Sequence, residues 1–424
     1  MKKALLFVLL LLTTTAFIGL IVDPGGNIST AAAGDQRAQL MWGVIDCTVI
    51  IVCFFHGRQL MRVASRQPWI LAFVGWATLS LAWSDNPQLT FRRVVGLICT
   101  TAMGFFLGMR LSMEALLRLL EWVLAFIIVT SFVAAVFFPS FGAVCRVDIA
   151  GWCGVFNHKN ELGSKMAIAS IIFTCLLWEY PQNRLKYLIL LFSGVVLLAL
   201  SQSMTSIIIT VVTLSVGLYL RSRLRTAQKV AVYAIALLVG LTATVFLEGR
   251  MDAVFASVGR DSGLTGRVPL WRYSFQAVLE RPFLGSGWDA FWTSDGGDRI
   301  RNLVRWPAPH AHNGFLELSL NIGLIGMFIF LIGNFECFRR AVRYSNDTSQ
   351  PCRLWPLLFY SYLFLYNFTE AIPADLHTLT FILYCALSVS VTEATRYEVI
   401  ELEQEDEYVP SGIAPDSGMI QESV

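Results

Sequence analysis

Two histidines beside a long apolar run are the side chains best suited to proton transfer. The segment PHAHNGFLEL carries His310 and His312 immediately before that run. Histidine is the side chain whose ordinary pKa lies nearest neutrality, so it can accept and return a proton at physiological pH. Asn313 is predicted to cap the helix that follows, which leaves His312 on the loop side of the boundary. The sequence therefore predicts a general base at His312.

The segment that precedes these histidines, residues 249–313, is rich in arginine and contains no lysine. A guanidinium can grip two phosphate oxygens at once, which an ammonium cannot do. Arg267 comes just before a predicted helix start at Pro269, where free backbone N–H groups also attract an anion. Arg272 and Arg305 are further candidates for binding phosphate. A solvated loop, or contact with anionic lipid, explains the arginines about equally well on composition alone.

Two more charged residues flank apolar runs. Glu317 falls in the first turns of the run after the histidines, where it could simply favour the helix amino terminus. Alternatively, it could orient a histidine or bind substrate hydroxyl groups. Lys159 lies in GWCGVFNHKNELG and could add positive charge to an anion site, although a lysine reaching toward the headgroups is the commoner explanation.

Motifs for other chemistries are missing from the sequence. It contains no Walker loop, HExxH, nucleophile elbow or CxxC pair, so ATP hydrolysis, zinc proteolysis and thiol redox chemistry have no local support. The acidic run SDGGD is better explained as a glycine-rich turn than as a cation site. We therefore expect no metal, no cofactor and no nucleic-acid partner.

The elements that must position these residues are membrane helices. The chain is 55% hydrophobic and only 15% charged, with a mean hydropathy of +0.60, whereas soluble domains have about 25% charged residues. The apolar residues come in blocks close to the length that crosses about 30 Å of hydrocarbon. The sequence predicts an all-α integral membrane protein with about twelve spans. They are residues 4–22, 39–55, 68–83, 94–109, 119–138, 161–178, 187–200, 205–220, 230–247, 314–335, 355–369 and 376–392.

The distribution of Lys and Arg predicts the orientation of these spans. With a cytoplasmic amino terminus, the inner connections carry most of the positive charges, and the short outer loops carry only Arg37, Arg92, Arg93, Arg146 and Lys159. We therefore expect both termini in the cytoplasm and residues 249–313 outside it. The first run could be a signal peptide, but it is longer than the usual apolar region of one, so an uncleaved span is favoured.

This pattern divides the chain into four parts. Residues 1–248 hold nine spans, 249–313 form a large extracytoplasmic loop, 314–393 hold three spans, and 394–424 read as an acidic disordered cytoplasmic tail. The loop segment VPLWRYSFQAVLE predicts an amphipathic helix in the headgroup layer, with Trp271, Phe275 and Val278 on its apolar face. Cys145 and Cys153 share one outer connection and could form a disulfide there, although free thiols are the favoured expectation.

Several of these segments together resemble a known family. His312 and Asn313 are followed after nine residues by Gly323 and then Gly326, which is similar to a family motif at the mouth of a late span. The supporting pieces are LTGRVPLW, RPFLGSGW, GVFNHKNELG and LAWSDNPQLTFRRVVG. The chain resembles the O-antigen ligase and polymerase superfamily, nearest to its exopolysaccharide-polymerising branch.

This resemblance implies a GT-C-like membrane glycosyltransferase of the bacterial inner membrane. It would transfer glycan from an undecaprenyl-diphosphate-linked oligosaccharide to a glycan acceptor at the periplasmic face, without metal. Arg267 would contact the diphosphate, and His312 would assist attack by the acceptor hydroxyl. Membrane lipids, a flippase and chain-length regulator proteins would be further partners. Many ligases have a Ser-Arg pair where this sequence has Met204 in LSQSMTSIII, so the missing contact would fall to Arg92, Arg93 or Lys159.

Three functions remain open from the sequence. The favoured one is a polymerase of exopolysaccharide or O-antigen-like glycan. The second is a ligase that attaches finished glycan to lipid A core. The third, of a different class, is a transporter of polysaccharide or lipid-linked sugar, which predicts polar residues deep within several spans.

Overall fold

The computed structural model describes residues 3–17, 36–142, 151–221, 228, 267–305, 307–370 and 378–407. Within these ranges all regular secondary structure is helical, as the sequence predicts. Short 3₁₀ turns and a four-residue helical turn connect some of the helices. The main helices are α1 Lys3–Thr13, α2 Gln36–Ala64, α3 Pro68–Leu79, α4 Pro87–Arg110, α5 Met113–Phe137, α6 Lys159–Glu179, α7 Arg184–Leu200, α8 Met204–Arg221, α9 Arg267–Glu280, α10 Asp295–Val304, α11 Gly314–Asn346, α12 Trp355–Tyr366 and α13 Leu379–Glu407.

Seven of the described helices are long and apolar enough to cross a membrane. They correspond to the second, fourth to eighth and tenth predicted spans. They are Leu40–Ala64, Pro87–Arg110, Met113–Phe137, Lys159–Glu179, Pro181–Leu200, Met204–Arg221 and Gly314–Asn346. The prediction of a multi-pass, all-α membrane protein is therefore confirmed.

The other predicted spans are shorter or lie outside the described residues. Pro68–Trp83 and Leu379–Ala394 are apolar helices below full span length. Helix α12 has 12 residues, about 18 Å of helix, and nearly all of its side chains are buried inside the bundle. Helix α1 has 11 residues, and the predicted span 230–247 lies wholly outside the described ranges.

Two predicted boundaries differ from the structure. Helix α4 begins at Pro87 because Asn86 caps it there, accepting from the N–H of Leu89. Arg92 and Arg93 therefore lie on a helix and not in a loop. Helix α13 continues to Glu407. Residues 394–407, which were expected to be disordered, are therefore helical. Their glutamates favour helix, so the helix continues beyond its apolar segment.

Helices α4 and α13 pack against each other through small residues. A Cβ on Gly104 would come within 2.4 Å of Cys385 Cβ, and one on Gly108 within 2.3 Å of the carbonyl oxygen of Ala386. Glycines four residues apart let two backbones approach closely, which is how helices associate in a solvent of lipid tails. This contact ties the last helix to the centre of the bundle.

The connections predicted to lie outside the cytoplasm meet at one end of the bundle, here called the loop end. The N–H of Asp85 donates to the carbonyl of Ser286 at 2.9 Å, and that of Gly314 to the carbonyl of Asn367 at 2.7 Å. These bonds join the connection before α4, the long loop and the connection after α12. Which end faces the cytoplasm stays a prediction from the positive charges.

The opposite end gathers connections predicted to be cytoplasmic. Arg66, between α2 and α3, forms an ion pair with Glu393 of α13. The hydroxyl of Tyr180, at the end of α6, donates to Glu114 of α5 at 2.8 Å. Connections predicted to lie on the same side of the membrane therefore contact one another, which agrees with the predicted alternation of the spans.

Helix α11 is broken where the motif RPFLGSGW docks against it. Gly323 has φ 70° and ψ 178°, a conformation that only glycine adopts readily. The N–H of Leu324 donates to the carbonyl of Pro282 at 2.7 Å, and that of Gly287 to the carbonyl of Asn321 at 2.7 Å. A broken helix is tolerated at membrane depth when other protein groups bind the freed backbone, so this motif and the break form one unit that holds the long loop in place.

Helix α9 starts two residues before the predicted start at Pro269. Its buried side includes Leu270 and Val278, whereas Phe275 is 55% exposed. An exposed Phe275 is compatible with the predicted position of this helix in the headgroup layer, which stays a prediction. Between α5 and α6, Cys153 is disulfide-bonded, which corrects the expectation of a free thiol. The other cysteine of the predicted pair, Cys145, lies outside the described residues.

Candidate active site

Arg267 and His312, the two residues expected at the centre of the site, meet on one carboxylate. Arg267 Nη2 donates to Glu370 Oε1 at 2.9 Å, and Nη1 donates to the carbonyl of Thr369 at 2.9 Å. His312 Nδ1 lies 3.1 Å from Glu370 Oε2. Asn160 Nδ2 donates to Glu370 Oε1 at 2.9 Å. We call Arg267, His312, Glu370, Asn160 and the neighbouring His158 and His310 the histidine cluster.

The charge on Glu370 determines which nitrogen of His312 carries the proton. Burial by itself would raise the pKa of Glu370, but Arg267 and His312 hold it well below its usual range. An ionised carboxylate can only accept hydrogen bonds, so His312 must present N–H from Nδ1. In the neutral ring Nε2 then holds the lone pair, which is the tautomer a general base requires.

The other two histidines adopt the opposite tautomer. His310 Nδ1 accepts from the backbone N–H of His312 at 3.1 Å, and His158 Nδ1 accepts from that of Asn160 at 3.2 Å. Burial lowers the pKa of both rings, so each is neutral at pH 7 with its proton on Nε2. These two rings can therefore donate a hydrogen bond to a ligand, and His312 is the ring of the three suited to accept a proton.

The backbone at His312 is strained and held on both sides. His312 has φ 48°, the left-handed region that side chains other than glycine rarely adopt. On the far side, Asn313 Oδ1 caps α11 by accepting from the N–H groups of Phe315 and Leu316, both at 3.0 Å, which confirms the predicted cap. Such strain persists where the surroundings enforce it, and it concentrates at functional sites.

Glu317 holds the histidine loop, residues 310–312, in place. It is 1% exposed, and its Oε2 accepts from the N–H of Ala311 at 2.8 Å and from Trp292 Nε1 at 2.9 Å. Oε1 accepts from Asn321 Nδ2 at 2.9 Å. With three protein donors on a buried carboxylate, Glu317 positions the residue between the two histidines and is not placed to bind a substrate hydroxyl.

His310, His312 and Glu370 lie close enough together to reach a single metal ion. The hydrogen bonds argue against such a use. The lone pair of His310 Nδ1 is taken by the backbone N–H of His312, and a cation would lie beside the Arg267 guanidinium. A metal would have to displace either that hydrogen bond or the Nε2 proton of His310, and it would be repelled by the charge of Arg267.

The remaining predicted residues lie at different distances from this cluster. Lys159 is the first residue of α6, close enough to Arg267 for the two cations to repel. Arg93 Nε forms an ion pair with Asp289 at 2.9 Å, and Arg92 is exposed on α4. Burial raises the pKa of Asp289 and Arg93 counteracts that effect, so Arg93 stabilises a charge in the long loop.

Arg272 and Arg305 are exposed and do not join Arg267. Arg272 is five residues farther along α9, which turns its side chain about 140° away from that of Arg267. Arg305 ends α10 and lines a separate cavity with Asp298 and Arg301. The long loop therefore brings one of its arginines, Arg267, to the histidine cluster within the described residues.

Glu370, His158 and Asn160 were not predicted as site residues, whereas His310 was singled out with His312 but given no role of its own. Glu370 directly follows the eleventh predicted span, at the same end as the arginine-rich loop, and this placement was an available signal. His158 and Asn160 lie in GVFNHKNELG, a segment already singled out by its polar residues. The sequence does not show that these two segments touch.

Comparison with known proteins finds two similarities. Residues 187–331 match the family model described as O-Antigen ligase, a region that includes Arg267 and His312 but not Glu370. Over 287 residues the chain is 25% identical to the Exopolysaccharide production protein ExoQ of Rhizobium meliloti (strain 1021), an alignment that covers 64% of each chain. The alignment thus spans just under two thirds of that relative. The two matches agree with the predicted resemblance: the chain is similar to the O-antigen ligase and polymerase family, and to ExoQ within it.

Proposed function

We propose that this protein is a membrane glycosyltransferase that polymerises an exopolysaccharide or O-antigen-like glycan. It transfers undecaprenyl-diphosphate-linked sugar units to a glycan acceptor at the periplasmic face of the inner membrane. The observation that carries this proposal is the shared carboxylate of Glu370, which holds a phosphate-binding guanidinium and a general base on one group.

The proposed reaction needs a base at the acceptor and positive charge at the leaving group. His312 Nε2 takes the proton of the acceptor hydroxyl while that oxygen attacks the anomeric carbon. The bond from this carbon to the diphosphate oxygen breaks, and the lipid diphosphate leaves with the electron pair. A base within hydrogen-bond reach contributes a factor of roughly a hundred to ten thousand.

Arg267 is placed to stabilise the leaving diphosphate. A guanidinium has five N–H donors, and two of them are engaged by Thr369 and Glu370. The group is therefore held in position with further donors available to phosphate oxygens, and preorganised donors of this kind stabilise charge that develops in a transition state. Lys159 adds a second positive charge on the same side.

A ligase that attaches glycan to lipid A core is the second candidate, since the matched family model is described as O-Antigen ligase. The accumulated intermediate distinguishes the two. A deletion strain that accumulates a single lipid-linked repeat unit indicates a polymerase. Long carrier-linked polymer with a bare core indicates a ligase.

The direct test is reconstitution of the purified protein in proteoliposomes with lipid-linked repeat units, without nucleotide or added metal. We expect a ladder of polymer on a gel from the wild type and none from Arg267→Ala or His312→Ala at equal protein levels. No ladder from the wild type, or unchanged ladders from both variants, would contradict the proposal. The orientation is tested separately, because cysteine labelling that places residues 267–312 in the cytosol would exclude a periplasmic reaction.

A further inference from the structure

An open polar cavity lies at the end of α10, and its last lining residue, Pro307, comes shortly before the histidine cluster in the chain. It has a volume of about 540 Å³ and is lined by Asp298, Arg301, Asn302, Arg305 and Pro307. Ligand sites usually have about 300–1,000 Å³, so the cavity is large enough for a small ligand. Four of its five lining residues are charged or carry an amide, which favours a hydrophilic ligand.

Arg301 is a fixed part of the cavity wall. Its Nη2 donates to the carbonyl of Trp292 at 2.7 Å and to Asp298 Oδ1 at 2.6 Å. Its guanidinium carbon also lies 5.9 Å from the centre of the Trp292 ring. Asp298 balances the charge of Arg301, so among these five lining residues the positive charge of Arg305 has no carboxylate to balance it.

The conformation of Arg305 indicates that its side chain matters. It has φ 55° and ψ 34° at the carboxyl end of α10, where glycine or asparagine is the usual residue. Its side chain makes no ion pair or hydrogen bond with other residues that the structure describes. Arginine therefore occupies a backbone position that glycine would fit better, and the contacts of its side chain within the described chain do not explain why.

The cavity is connected rigidly to the proposed base. Pro307 precedes His312 by five residues, at most about 17 Å of extended chain. Arg301 Nη1 donates to the carbonyl of Ala308 at 3.4 Å within this stretch. Trp292 contacts Arg301 on one side and donates to Glu317, which holds Ala311, on the other. The cavity and the histidine loop thus share one support, and a short oligosaccharide could reach both.

We propose that this cavity binds a glycan segment of the acceptor through a carboxylate on its sugars, with Arg305 contacting the carboxylate and Asn302 the hydroxyl groups. A guanidinium matches a carboxylate in two places, and an amide can both donate to and accept from a hydroxyl. The proposal rests on the proposed transferase activity and assigns the part of the site that retains the growing chain.

The test uses short oligosaccharides released from the polysaccharide that the producing strain makes. Their binding to the purified full-length protein is measured by calorimetry, which needs no turnover. Arg305→Gly is the main variant, since glycine suits this backbone conformation and keeps the fold intact. Arg299→Ala is the matched control, because Arg299 lies on the same helix, is 51% exposed and pairs with Glu280 away from the cavity.

We expect Arg305→Gly and Asn302→Ala to weaken oligosaccharide binding, the former about tenfold, as for a lost charged hydrogen bond. Arg299→Ala should bind like the wild type, and carboxyl-reduced oligosaccharides should bind the wild type as weakly as intact ones bind Arg305→Gly. In the reconstituted reaction, Arg305→Gly should still make polymer, but of shorter chain length.

Wild-type binding and chain length in Arg305→Gly would overturn the proposal, as would equal binding of intact and carboxyl-reduced oligosaccharides by the wild type. Loss of affinity for short-chain phosphatidylglycerol in place of oligosaccharide would assign the cavity to a lipid headgroup and would also overturn it. A wild type that binds oligosaccharide but makes no polymer contradicts the proposed function alone, so the two failures are distinguishable.

Discussion

Two polar clusters lie at opposite ends of the bundle, and they differ in what their side chains leave available. At the loop end, the histidine cluster gathers Arg267, His312, Glu370 and their neighbours from four separate segments. At the opposite end, a second group centres on Gln67, which is 3% exposed. We call this group, with Glu336, Arg340, Ser388 and Thr392, the glutamine cluster.

Most hydrogen bonds of the glutamine cluster join its own members. Gln67 Nε2 donates to the carbonyl of Ser388 at 3.2 Å and to Thr392 Oγ1 at 3.0 Å, and its Oε1 accepts from Ser388 Oγ at 2.6 Å and from Arg340 at 3.2 Å. Arg340 also donates to Glu336. This network joins the residue that precedes α3 to α11 and α13, and such a network makes this end of the bundle rigid.

The histidine cluster contains groups that can change partners. Because Nδ1 of His312 faces Glu370 with its proton, the lone pair of the neutral ring is on Nε2, and Arg267 has donors beyond the two that Thr369 and Glu370 engage. Both clusters contain an arginine paired with a glutamate, so such an ion pair does not by itself mark a functional site. Imidazoles and incompletely used donors beside that pair separate a reactive cluster from a structural one.

Replacing the proposed base, His312, should have the largest effect on the rate of polymer formation. We expect His312→Ala to lower the rate of polymer formation by roughly a hundred- to ten-thousandfold, with little change in thermal stability. The rate is measured in proteoliposomes with lipid-linked repeat units. Gln67→Ala is the control at the other end and should retain the wild-type rate. Equal losses in both variants would mean that the two clusters do not differ in function.

The next largest difference should come from replacing the arginine of each cluster, Arg267 or Arg340, by lysine and comparing the polymerisation rates. Arg267→Lys cannot reach Thr369 and Glu370 together, because an ammonium lacks the planar fork. We expect its polymerisation rate to fall about ten- to a hundredfold, the loss of one charged hydrogen bond. Arg340→Lys in the glutamine cluster should polymerise normally. A fully active Arg267→Lys variant would show that Arg267 acts as a point charge.

Removing the centre of the glutamine cluster should affect stability alone. Gln67→Ala leaves Arg340 and Ser388 without one of their partners at a buried site, which costs about 1–3 kcal/mol. We expect a lower melting temperature in detergent with an unchanged rate per folded molecule. An unaltered melting temperature would mean that solvent or lipid replaces the lost hydrogen bonds.

Acid should reduce the contribution of the histidine cluster to the stability of the fold, because that contribution depends on ionised Glu370. Its folded pKa lies below its unfolded value, which is about 4.3 for an ordinary glutamate. Its stabilising contribution is therefore present at neutral pH and is lost as the pH falls below about 4. The difference in melting temperature between wild type and Glu370→Gln should be largest at pH 7 and shrink on acidification. A pH-independent difference would show that Glu370 is not ionised at neutral pH.

The sequence was informative wherever a local pattern decides the structure. Apolar blocks predicted the membrane helices, and seven of them reach span length. Asn313 was predicted to cap α11, and it does so. Boundaries were less accurate, as at α4, because caps and prolines extend a helix beyond its apolar segment into polar residues such as Arg92.

The partners of the predicted residues could not be read from the sequence. Glu317 was considered as a group that binds substrate, yet it is buried under three donors. Arg93 was assigned to phosphate, yet it pairs with Asp289. In each case at least one partner, Trp292 for Glu317 and Asp289 for Arg93, comes from a part of the chain that the local pattern does not indicate.

By itself, the sequence determined that this chain has membrane helices and directed attention to residues 249–313 for the proposed site, because hydropathy and residue type are local properties. Only the tertiary structure decided that Arg267 and His312 share Glu370, which is 103 residues from Arg267 along the chain. That meeting depends on how α6, α9, α11 and α12 end beside one another, and packing between distant segments leaves no periodic signal in the sequence.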